Sequence, residues 1–198
     1  MPIIDINLLN NATDKQKMRM RIGLLQYAYI MSHFNPMDED FRDVFNDFYL
    51  SSKPRMRRPG NRIPFFETMQ EVRQANNIFD ISDLVDILKE RLELGTYEFS
   101  FATKLLHTVC NYLPIYDSKV RNYLKRYEHV DFWLYYQPIE HVEVQILHDW
   151  QLLKEWYRDF MKTQRCHEWI EWFDSNFPEY AYISSVKKID FIIFIFNQ

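Results

Sequence analysis

Apolar residues recur along this chain at three- and four-residue intervals almost throughout, the spacing of one face of an α-helix. Thr13 followed three positions later by Gln16 forms a capping box, and Met18, Ile22, Leu25 and Tyr29 then fall on one stripe. The spacing predicts a long helix over 14–33, which Pro36 ends. Phe41, Val44, Phe45 and Phe48 share a face of a second helix at about 38–49. The stretch SSKPRMRRPGNRIP sets three prolines and one glycine among five basic residues and reads as a loop. Pro64 then suits the first turn of a helix carrying Phe65, Met69 and Val72.

The second half repeats the pattern. Ser82 caps a helix with Leu84, Ile87, Leu88 and Leu92 apolar and Gly95 just past its end. Residues 100–111 form the next, broken at Pro114, and Asp117 or Ser118 caps another that contains Val120, Tyr123, Leu124 and Tyr127. HVDFWLYYQP is aromatic and reads as extended. Pro138 opens a long helix to about 163, followed by two more at about 165–176 and 184–196. No repeat or low-complexity segment interrupts this order. The pattern predicts an all-α chain whose residues 1–198 form a single compact domain with short loops.

Composition narrows the function classes. A chain that is 47% hydrophobic and 17% aromatic is not a disordered one, whose mark is few aromatics. With only 3 Gly, the glycine-rich dinucleotide and phosphate loops are excluded, and no cofactor is expected. The net charge of -4 does not advertise a nucleic-acid binder. Cys110 and Cys166 stand in apolar helical contexts without metal-type spacing, which suits a reduced chain. MPIIDINLLNN has no signal-peptide pattern, and IDFIIFIF falls short of the roughly 20 residues of a spanning helix. An intracellular, cytoplasmic chain is the expectation, with IDFIIFIF a buried terminal segment.

One charge stands out. Lys104 lies in the apolar run SFATKLLHTVC, where an ammonium is costly to bury unless it is paired or loses its proton. Either it snorkels to water, or its surroundings serve chemistry. ATKLLHTVC followed by LPIYDSKV resembles the catalytic core of the helix-hairpin-helix DNA glycosylase superfamily, most of all its 8-oxoguanine DNA glycosylase branch. Thr103 and Lys104 match that branch's Thr-Lys pair, and Pro114, Ile115 and Asp117 match its apolar-Pro-apolar-Asp turn with Tyr116 between. The motif-supported core covers about 80–130. Ser100, Phe101 and Ala102 stand where the family's hairpin carries glycines, and no four-cysteine cluster of the iron-sulfur members follows.

The resemblance implies a glycosylase-type helical fold, DNA as partner, and cleavage of the N-glycosidic bond of a damaged or modified base. Lys104 would be the nucleophile, open to a Schiff-base lyase step, and Asp117 the carboxylate that stabilises the oxocarbenium-like sugar. The base would be flipped into an aromatic pocket, in repair or in defence against foreign DNA. The alternative is an inactive module of the same fold that binds nucleic acid or a protein.

Basic residues offer DNA contacts in two places. Lys53, Arg55, Arg57, Arg58 and Arg62 crowd the proline-rich loop, and Lys119 and Arg121, with Lys125 and Arg126, follow Asp117. His141 and His148 fall seven apart, as on one helix face, yet no HExxH or similar pattern exists and no metal site is expected. Trp133, Trp150, Trp156, Trp169 and Trp172 read as core.

Overall fold

The computed structural model describes residues 3–49, 59–75, 80–93, 98–134 and 141–197, with the side chains of 59–62 outside that description. The described residues form ten α-helices and no strand, so the chain is all-α. They divide into two compact units: Met1–Arg21 with Asn111–Gln198, and Ile22–Cys110.

The first unit contains α1 (Ile6–Asn10), α7 (Ser118–Tyr127), α8 (Val142–Phe160), α9 (Gln164–Asn176) and α10 (Ser185–Phe196). Helix α1 was not expected from periodicity; Asp5 starts it by accepting the Leu8 N–H at 2.8 Å. Asp117 caps α7 through the Lys119 N–H at 2.8 Å, resolving the choice between Asp117 and Ser118. Helices α9 and α10 are capped by Thr163 and Ser184, each accepting the N–H three residues on. Helix α10 packs on α7 and α9, and α1 packs on α9. Leu9, Tyr123, Leu153, Trp169, Phe173 and Ile192 are fully buried in this unit. The long helix α8 starts at Val142, after a left-handed His141 (φ 81°), and Pro138 lies outside the described residues.

The second unit contains α3 (Glu39–Tyr49), α4 (Pro59–Ala75), α5 (Ile81–Arg91) and α6 (Phe99–Val109), with α4, α5 and α6 in mutual contact. Its core is aromatic: Phe45 meets Phe66 edge-on at 5.4 Å and Phe65 at 5.7 Å, and Phe65 reaches Phe101 at 6.4 Å.

Three expectations need correction. Helix α4 begins at Pro59, not after Pro64; Pro59 takes the first position, where a missing N–H costs nothing, and Pro64 sits inside the helix. Residues 59–64 of the expected loop are therefore helical. Helix α5 is capped by Asp80, whose carboxylate accepts both the Ser82 N–H (2.9 Å) and its hydroxyl (2.7 Å), so Ser82 is a donor to the cap. The third correction lies in α2 (Asp14–Ser32), which starts with the expected Thr13–Gln16 capping box. Its buried stripe is Met20, Leu24, Tyr27 and Ile30, while Met18, Ile22 and Leu25 are exposed. Both stripes have helical spacing, so periodicity alone does not choose between them.

Candidate functional site

Lys104 lies in the second unit and Asp117 in the first. Helix α6, which carries Lys104, is immersed: Phe99 and every residue from Phe101 to Thr108 are buried. Lys104 is 5% exposed. Its Nζ donates to Ser100 Oγ one turn back at 3.1 Å and lies 5.7 Å from the centre of the Phe101 ring. It does not snorkel to water. Other polar groups on α6 also have partners, one within the helix and one on α2. Thr108 Oγ1 donates to the Lys104 carbonyl at 2.8 Å, and the buried His107 Nε2 lies 3.0 Å from the Tyr27 hydroxyl.

Asp117 combines the cap with electrostatic contact to a buried cluster of the first unit. There the Tyr157 hydroxyl donates to Asp190, and Lys187 Nζ stands 3.9 Å from the other Asp190 oxygen. Burial pushes the Asp190 carboxyl up to about 6, the Lys187 charge and the Tyr157 hydrogen bond oppose this, and the Asp117 charge adds to it. Burial, then the Asp190 charge, also drives the Tyr157 phenol well above its ordinary value. Next along α10, Lys188 is held by Asp174 at 2.6 Å and by the Ala181 carbonyl at 2.8 Å. The apolar reading of IDFIIFIF overlooks this cluster, although charges inside an apolar run are the same signal that marks Lys104.

Of the basic positions, Lys53, Arg55, Arg57 and Arg58 lie outside the described residues, as does the Arg62 side chain. Lys119 sits with its amine 4.1 Å from the centre of the Phe194 ring and 3.4 Å from the Phe194 carbonyl. Burial and then the positive charge of Arg19 hold its pKa below the ordinary lysine value, against a smaller pull from Asp117. Phe194 is exposed, at 42%, on a helix otherwise buried along nearly its whole length. The Arg121 guanidinium lies 6.0 Å from the Tyr116 ring.

His141 and His148 do not share a helix face, because His141 precedes α8 in a left-handed conformation. Among the described residues no group of three His, Cys, Asp or Glu side chains could hold a metal ion. Trp150, Trp169 and Trp172 are buried as expected, whereas Trp133 and Trp156 are half-exposed and line an open cleft of about 500 Å³. Cys110 and Cys166 are free thiols, and burial pushes the Cys166 thiol up to about 11. Among the described residues no helix is long and apolar enough to cross a membrane. No protein family, curated protein or solved structure matches the chain.

Proposed function

We propose that the protein is a DNA glycosylase-like enzyme in which Lys104 attacks the anomeric carbon of a damaged or modified nucleotide and Asp117 supplies the carboxylate. The observation that carries this reading is the burial of Lys104, 5% exposed within the Thr-Lys pattern, with the Ser100 hydroxyl and the Phe101 ring among its neighbours. Burial away from water is costly for an ammonium unless it is paired or loses its proton, and a nucleophilic lysine must lose it. In the reaction the Lys104 nitrogen bonds to the anomeric carbon as the N-glycosidic bond breaks. The base departs with the electron pair and takes up a proton. Loss of the amine proton and opening of the sugar ring leave an imine between Lys104 and the sugar.

Borohydride reduces that imine, so it traps the chain on a duplex that carries the right base. The expected result is a covalent adduct on one member of a panel of oxidised, deaminated, alkylated and hypermodified bases, mapped to Lys104 and lost in Lys104→Gln. Silence across the panel sinks the enzymatic reading.

A second reading, a nucleic-acid-binding module without catalysis, is favoured by one observation. The exposed Phe194 ring beside Lys119, with the Arg19 charge near, offers a stacking face next to two cations. Duplex binding that survives Lys104→Gln without any adduct in the parent chain selects this reading.

A further inference from the structure

The cleft of about 500 Å³ in the first unit is built by a polar device unrelated to Lys104 or Asp117. One wall is the irregular stretch 129–133 after α7. The other is a face of α8, where His148, Leu152, Glu155, Trp156 and Asp159 follow at helical intervals. A fully buried carboxylate joins the two. Asp149 accepts the backbone N–H of Trp133 at 2.7 Å and of Leu134 at 3.0 Å, and the Tyr116 hydroxyl at 2.8 Å. Burial, then the Asp149 charge and hydrogen bond, raise the Tyr116 phenol far above its ordinary value, so it stays a donor.

The same carboxylate orients His148. Its Nδ1 lies 3.2 Å from Asp149 Oδ1, an oxygen with only lone pairs to offer, so the ring proton sits on Nδ1. In the neutral ring Nε2 is left as an acceptor. Trp133 stacks on the imidazole with ring centres 3.5 Å apart and planes 11° from parallel, which holds the ring from a second side. Trp156 is held likewise by Phe160, at 4.6 Å and 12°.

The resulting lining has one chemical character. Besides two apolar side chains it presents tryptophan rings, imidazoles and the carboxylates of Asp131, Glu155 and Asp159, with no lysine or arginine among the described lining residues. Asp159 is already engaged by Arg158 at 3.1 Å and Lys162 at 2.9 Å, and one Glu155 oxygen accepts the Gln151 amide at 2.7 Å. Asp131 and the rest of Glu155 therefore carry the negative character. A metal ion finds no three-ligand group among the described residues. A cation with a flat face suits the site, because indole faces attract cations and guanidinium-type groups stack on them while donating to carboxylates in plane.

We propose that this cleft binds a flat organic cation of the guanidinium or amidinium class, either as a free small molecule or as an arginine side chain. The proposal does not rest on the glycosylase reading. The test titrates the intact chain with benzamidine and with its neutral counterpart benzamide, in about 0.15 M salt, following the indole N–H signals of Trp133 and Trp156 by NMR. Saturable benzamidine binding is expected, with benzamide weaker by about tenfold or more, the worth of a charge-assisted hydrogen bond. Glu155→Gln should weaken benzamidine by a similar factor while leaving the thermal midpoint unchanged, since Glu155 is only half-buried. A peptide, acetyl-Gly-Arg-Gly-amide, separates the two sources. Binding tighter than free arginine points to a partner's side chain, and binding weaker than free arginine points to a small molecule. Equal affinity for benzamidine and benzamide, absence of saturation, or indifference to Glu155→Gln overturns the proposal.

Discussion

Asp117 shows how one side chain serves two ends. As the cap of α7 it satisfies a backbone N–H that would otherwise lack a partner, and its charge is felt by Asp190 and Tyr157. Asparagine keeps a capping oxygen and drops the charge; alanine drops both. Asp117→Asn should therefore hold the thermal midpoint, while Asp117→Ala costs about 1 kcal/mol of stability in denaturant unfolding. If the carboxylate takes part in glycosidic cleavage, the borohydride-trapped fraction falls in both variants. Full trapping with Asn would reduce Asp117 to a cap. Lys104 was legible at this scale because a charge in an apolar run is energetically conspicuous. Asp149 was not: nothing in HDWQLL distinguishes a surface aspartate from one that gathers four donors.

At the scale of the element, α2 carries two apolar stripes a quarter-turn or more apart, and only one is buried. Adjacent leucines separate them cleanly. Leu24 is fully buried and Leu25 is 62% exposed. Leu24→Ala should cost about 2–5 kcal/mol, the range for a leucine removed from a packed interior, whereas Leu25→Ala should stay within about 0.5 kcal/mol. Urea midpoints of the two variants check this, and equal losses would restore the stripe through Met18, Ile22 and Leu25 as the packed face. Helix existence and approximate limits followed from spacing for α2, α3, α9 and α10, since caps and periodicity are local. The start of α4 did not, because a proline is tolerated both at a first turn and, with cost, inside a helix that packing supports.

For the molecule as a whole, the buried Asp190 makes stability depend on pH in a defined direction. Its folded-state carboxyl is raised to about 6, above the ordinary value of 3.8 that the unfolded chain restores. Between those values the folded state binds more protons than the unfolded one, so this group's contribution falls as pH rises through that window and is level above it. Asp190→Asn removes the ionisation. Measured against the parent chain, its thermal midpoint should gain by several degrees between pH 4 and pH 7, with little further change above. A midpoint difference that does not vary with pH would show that Asp190 ionises as readily folded as unfolded. The sequence by itself determined the all-helical class, most helix starts and the oddity of Lys104, because capping, periodicity and the cost of a charge in apolar surroundings act over a few residues. Only tertiary structure decided which stripe of α2 is buried and that Asp149 ties residues 133–134 to α8. It also decided that Trp133 and Trp156 face a cleft while Trp150, Trp169 and Trp172 do not. Each of those outcomes depends on which distant surface arrives to exclude water, and local spacing carries no record of that.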